Sequence, residues 1–97
     1  VDKEGKLVGA GDLTAQIKQV AHNVIAALAA VGAKPADIVK MNTYIVNYKS
    51  SDYAAMREAR AILFAEGEPP PASTLIGVHS LAVDGLLVEI EAIAAIA

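Results

Sequence analysis

No cysteine occurs anywhere in the 97 residues, so disulfides, zinc thiolates and thiol nucleophiles are excluded. Tryptophan is absent as well, and aromatic residues make up only 4%, which leaves the core to alanine, valine, isoleucine and leucine. Histidine appears only at positions 22 and 79, one in a helical pattern and one in a strand pattern, without the H-x-x-x-H or H-x-H spacing of a metal centre. No metal is therefore expected. Basic clusters are lacking too: Lys34, Lys40, Arg57 and Arg60 are scattered, and the net charge is −3. Nucleic-acid binding needs several cations on one face, so nucleic acid is not an expected partner. Gly5, Gly9 and Gly11 precede a helical pattern without the spacing of a phosphate-binding loop. No apolar run reaches the roughly 18 residues of a membrane span, because Lys40, Asn42, Glu89 and Glu91 interrupt the longest candidates. Nothing resembles a secretory signal with its basic flank and small-residue cleavage site. A cytoplasmic protein with no membrane partner is the expectation.

What is present is apolar surface in excess. Hydrophobic residues make up 55% of the chain, and the mean hydropathy of +0.44 is high for one small domain. Residues 1–97 are long enough for a single core and too short for two. Such a composition implies apolar surface hidden against a partner chain. The polar, glycine-rich start from Val1 to Gly9 reads as the loop after a strand, and a further strand or hairpin upstream of Val1 is expected.

Asp12 is a suitable helix N-cap, and after it Leu13, Ile17, Val20, Val24, Leu28 and Val31 recur at spacings of three and four, ending at Gly32. Pro35 to Asp37 allows one short turn. From Ile38 to Val46, β-branched and aromatic residues alternate, predicting a strand with one apolar face made of Val39, Met41, Thr43 and Ile45. Ser50 or Ser51 is placed to cap a second helix whose apolar side holds Tyr53, Met56, Ala59/Arg60 and Leu63. That helix should reach about Glu66, stopped by Gly67 and the prolines at 69–71. Two strands follow, Ser73 to Leu81 and Leu86 to Ile96, with Asp84-Gly85 as a hairpin signal between them. Along the last strand Val88, Ile90, Ala92 and Ala94 point one way, and Leu87, Glu89, Glu91, Ile93 and Ala95 the other. Two helices with one apolar stripe each can cover only one face of such a sheet.

Chemistry concentrates in V-E-I-E-A-I-A, residues 88–94. An ionised carboxylate is costly to bury without a partner. Glu89 and Glu91 therefore either reach a rim, pair with Lys40 or an arginine, or receive backbone hydrogen bonds, or else act as acid/base groups that activate water. Ser73 and His79 share a strand face by parity, yet about 20 Å of extended chain separates them, so they form no triad within one subunit.

The segment Pro70-Pro71-Ala72-Ser73-Thr74-Leu75-Ile76-Gly77-Val78, followed by Leu81 and by Val88-Glu89-Ile90-Glu91-Ala92-Ile93-Ala94, resembles the C-terminal signature of the RidA/YjgF family, also called endoribonuclease L-PSP. The resemblance continues upstream through Gln16, Gln19, Val20, Asn23, Leu28 to Gly32, Asp37 to Lys40, Tyr44 and Ile45, and so covers essentially the whole chain. It implies a chorismate-mutase-like α+β fold, a mixed β-sheet with two helices on one face, assembled as a homotrimer with small-molecule clefts between subunits. It also implies hydrolysis of reactive enamines and imines, such as 2-aminoacrylate, without a cofactor. By motif position the glutamate that positions water is Glu89, while Ser73, Thr74 and Leu75 line the ligand site. Ser73 stands where the family's deaminases carry an arginine that grips the substrate carboxylate. Arginine offers a charged two-pronged fork and serine one neutral hydroxyl, so carboxylate binding should weaken by about 1.5–3 kcal/mol. The expectation is a small-metabolite-binding protein with weak or altered imine deaminase activity. A non-catalytic ligand sensor or interaction module is the alternative, and ribonuclease activity, implied only by the family's older name, sits poorly with an acidic chain.

Overall fold

The computed structural model describes residues 1–2, 4–64, 68 and 70–96. Helix α1, Leu13–Ala30, starts where the Asp12 carboxylate accepts the Ala15 N–H at 3.1 Å. It ends in a Schellman turn: Gly32, at φ +79°, donates to the Ala29 carbonyl, and Ala33 donates to the Leu28 carbonyl. Leu28 and Ala33 are both buried, which supplies the apolar contact of that motif. Ile17, Ala21 and Leu28 form the buried stripe, with Leu13, Val20 and Val24 packed at its margin. Val31, expected on the stripe, is 69% exposed, because the chain leaves helical geometry at this C-cap residue.

After the turn Pro35–Asp37, strand β1 runs Ile38–Val46, as the alternation predicts. Its inward face departs from strict parity. Ile38 is buried and Val39 is 52% exposed, whereas Met41, Thr43 and Ile45 are buried. The cause is a register shift against the last strand between Ile38 and Lys40, a β-bulge that turns Val39 out. Asn47, at φ +50°, then closes β1 in a left-handed conformation that asparagine tolerates.

Helix α2, Tyr53–Leu63, is preceded by the 3-10 turn Ser50–Asp52. Neither serine caps it. Asp52 occupies the cap position, and its carboxylate accepts the Lys49 N–H instead, as Asp37 accepts that of Lys34. Ala55, Met56, Ala59 and Leu63 are buried, while Tyr53 faces outward with the Arg57 guanidinium 5.6 Å from its ring centre. The helix ends at Leu63, and Phe64 is already extended; Glu66, Gly67 and Pro69, expected to carry and stop it, lie outside the described residues.

Strands β2, Ala72–Val78, and β3, Val88–Ala94, flank β1 in the order β2-β1-β3. β1 pairs parallel with β2 and antiparallel with β3. The hairpin expected between the last two strands is therefore not formed. The Asp84-Gly85 turn exists, with Gly85 at φ +87°, yet it sits in the connection that carries the chain past β1. Both flanking strands gain more by pairing with the apolar central strand than with each other, and the connection from His79 to Leu87 is too long for a two-residue hairpin. β2 also stops at Val78, leaving His79 exposed beyond it.

The helices cover one side of this mixed sheet, and Ile17, Ile45, Val88 and Thr43 are the largest of the fully enclosed side chains. Thr43 is the exception among them, since its hydroxyl is buried with no hydrogen-bond partner. It sits between Leu75 and Ile90 across the sheet. Thr43→Val keeps the shape and removes the unsatisfied group, so chemical denaturation should report a gain of about 1 kcal/mol. A loss instead would mean that the hydroxyl has a partner such as a buried water.

Gln16 is the second polar residue of the interior, 3% exposed on α1. Its amide donates to the carbonyls of Gly9 at 3.2 Å and Gly85 at 2.9 Å, and its oxygen accepts the Leu87 N–H at 2.8 Å. One side chain thus fastens the N-terminal loop, α1 and the entrance to β3. Among the described residues no helix is long and apolar enough to cross a membrane.

Candidate functional site

Residues paired across a sheet share a face, so the register decides which predicted site residues can act together. Ser73 pairs with Met41 and Leu75 with Thr43, which places both on the helix side. Thr74 pairs with Asn42 and Ile76 with Tyr44, on the open side. Glu89 pairs with Tyr44 and Glu91 with Asn42, also on the open side. The open face therefore carries two mixed rows, Thr74-Asn42-Glu91 and Ile76-Tyr44-Glu89. Ser73 and Glu89 lie on opposite faces with β1 between them, roughly 14 Å apart by strand spacing and rise. A single subunit does not bring them together. Ser73, Thr74 and Glu89 are exposed, and Leu75 packs against the core.

The polar centre of the open face is Glu91. The Tyr44 hydroxyl donates to its Oε1 at 2.6 Å and the Asn42 amide donates to the same oxygen at 2.8 Å. Asn42 does so from the directly paired position, while Tyr44 is long enough to reach along the diagonal from its place opposite Glu89. The two hydrogen bonds, Tyr44's the stronger, hold the Glu91 carboxyl below the usual glutamate range; partial desolvation opposes them and the charge of Lys40 assists. The same bond to Glu91 raises the Tyr44 phenol above its ordinary value, with desolvation and the charges of both glutamates adding to it and Asn42 opposing. Because the folded Glu91 is the stronger acid, its contribution to stability is present above the ordinary glutamate range and is lost as the pH falls through the lowered value.

Sequence reasoning offered Glu91 a partner such as Lys40 or backbone donors, and missed Tyr44 and Asn42. The signal was available in the alternation of β1, since Asn42 and Tyr44 fall on the face opposite Met41, Thr43 and Ile45. What was lacking was the antiparallel β1/β3 register. Among the described residues no side-chain hydrogen bond engages Glu89. Exposed apolar residues complete the face, Ile76 at 39% and Ile93 at 60%. A free carboxylate beside a fixed one, framed by apolar side chains, can move a proton to and from a bound water.

Comparison with known proteins gives one consistent result. The family model for endoribonuclease L-PSP matches residues 1–96. A RutC family protein from Pyrococcus horikoshii is 39% identical over 92 residues, covering 95% of this chain and 68% of that protein. Among solved structures, a protein of unknown function of the conserved Rid family from Yersinia pestis superposes with a TM-score of 0.87 at 41% identity, over 98% of this chain and 71% of that one. RidA from an Antarctic Psychrobacter superposes with a TM-score of 0.73 at 35% identity, over 86% of this chain and 63% of that one.

Proposed function

The chain belongs to the endoribonuclease L-PSP family, the RidA/YjgF proteins, and from that membership we propose that it binds a small metabolite between subunits of a homotrimer and hydrolyses imines or enamines weakly there. In this reading Glu89 takes a proton from a water that adds to the imine carbon. It returns that proton to nitrogen to give a carbinolamine, then carries the carbinolamine's hydroxyl proton to the same nitrogen, so that the C–N bond breaks, ammonia leaves and a carbonyl compound remains. No cofactor or metal enters the reaction, and the protein works in the cytoplasm without a nucleic-acid partner, as its net charge of −3 favours. The observation that carries the reading is Glu89 on the open sheet face, exposed, beside a second carboxylate already engaged by Tyr44 and Asn42. The exposed Ile76 and Ile93 on that face support subunit contacts.

Weak activity follows from Ser73, which leaves a substrate carboxylate without a cation. Supplying 2-aminoacrylate and following keto-acid formation should give slow turnover in the wild type. Ser73→Arg has room at the exposed start of β2, and it should raise kcat/KM by at least about 10-fold through a charge-assisted pair. Wild-type turnover already equal to that of arginine-bearing relatives, or no gain in Ser73→Arg, would sink this account. A ligand sensor without chemistry is the second reading, favoured by Ser73 alone. Saturable binding of a metabolite with no product formed, in the wild type and in Ser73→Arg, would decide for it.

A further inference from the structure

Tyr44 stands directly opposite Glu89 in the sheet, yet its hydroxyl is given to Glu91, two residues further along β3. Two donors from β1 converge on one oxygen of Glu91, and Glu89 is left free of them. The two carboxylates lie about 7 Å apart on one strand face and differ in role because of where one phenol points.

We infer that Tyr44 is a positioning residue that fixes Glu91 as a standing anion beside the ligand, and that this anion selects neutral or cationic ligands, amine-like or iminium-like, against those bearing a carboxylate. The inference rests on the reading that the Glu89 face takes the ligand, and it deepens that reading by naming the ligand's charge class.

The charges around Glu91 support it. From β1 the titratable groups on this face are Lys40 and Tyr44; β2 presents Ala72, Thr74, Ile76 and Val78, none of them titratable; β3 itself adds Glu89. Lys40 is the sole cation among them, and on the helix side of the sheet Ser73 brings none. An anionic ligand would meet two carboxylates within reach, whereas an iminium nitrogen would be attracted by both. Glu91 carries its charge at neutral pH, as an ordinary glutamate does, and the hydrogen bonds from Tyr44 and Asn42 extend that charged range to lower pH.

The test uses the full chain and two probes, pyruvate as the carboxylate and isopropylammonium as the cation, with affinities from NMR shift titration at low salt. Wild type should prefer isopropylammonium. Glu91→Gln should move the affinity ratio toward pyruvate by about 3- to 10-fold, and added salt should compress the wild-type ratio in the same direction. Tyr44→Phe keeps the ring and loses the hydroxyl, so the pH at which the preference fades on acidification should rise, together with the carboxyl midpoint of Glu91 in a carbon-detected titration. An unchanged ratio in Glu91→Gln, an unmoved midpoint in Tyr44→Phe, or no binding of either probe overturns the inference. Failure of the underlying catalytic reading looks different: Glu89→Gln would then hydrolyse imines as well as wild type, whatever the charge preference.

Discussion

Gln16→Met should be the most destabilising single change on the interior polar residues, lowering stability by roughly 2–4 kcal/mol. Methionine fills the same volume, so packing is nearly conserved and the loss isolates the hydrogen bonds. It strips a partner from the Gly9 carbonyl, the Gly85 carbonyl and the Leu87 N–H, in a pocket where Gln16 itself is 3% exposed. The two glycine carbonyls lie near enough to the surface for water to replace part of what is lost, which sets the upper bound. For a chain of this size the shift in Tm should be about 10–25 °C. Thermal unfolding followed by circular dichroism reads it directly, and a shift under about 3 °C would show that water takes the place of the amide. The change should also reach the candidate site. Leu87 leads straight into Val88 and Glu89, and its carbonyl accepts the Val46 N–H at 2.9 Å. Loosening it frees the start of β3, so activity should fall in Gln16→Met even at temperatures where the fold survives.

Glu89→Gln carries the largest expected effect on function, a fall in imine hydrolysis of about 10²- to 10⁴-fold, as befits removal of a general acid/base. Glutamine keeps the size and the hydrogen-bonding reach of glutamate and cannot carry the proton. No structural penalty accompanies it, since Glu89 is exposed and no described side chain hydrogen-bonds to it. Far-ultraviolet dichroism and the melting temperature should match wild type, and kcat should carry the loss with KM little changed. Glu91→Gln serves as the comparison. It breaks the bonds to Tyr44 and Asn42, and should alter ligand preference more than kcat. Equal losses in both variants would mean that the two carboxylates act as one unit, and an active Glu89→Gln would remove this residue from the mechanism.

The elements themselves were legible because each is written in a local code. Asp12 and Gly32 bracket α1 through side-chain capping and a left-handed turn, and alternation over Ile38–Val46 marks β1 to the residue. Pairing was not legible, because register is a long-range property. Asp84-Gly85 is a sound local hairpin signal, yet the competition for β1 as central partner overrides it. The β-bulge at Val39 has no sequence marker, as valine suits either face of a strand. At the site, the C-terminal motif pointed to Glu89, Ser73 and Thr74 one by one. Only the sheet register separates them, sending Ser73 to the helix side and joining Glu91 to Asn42 and Tyr44. Gln16 escaped notice as a brace because a glutamine next to an apolar stripe ordinarily reads as a boundary residue of the helix.

The position of β1 at the centre of the sheet also bears on how the chain comes together. Both of its neighbours arrive later in the sequence: Lys40 waits for Ala72, and Ile38 waits for Ala94. Every sheet contact therefore closes a long loop, and such topologies fold slowly relative to helical ones of the same size. During synthesis β1 emerges before either of these two partner strands, and of the three strands described β3 leaves the ribosome last. A nascent chain halted short of Val88 presents an unpaired apolar edge, the kind of surface on which strands of different molecules stack. A chain cut short of Val88 should accordingly show up as aggregation as well as lost activity.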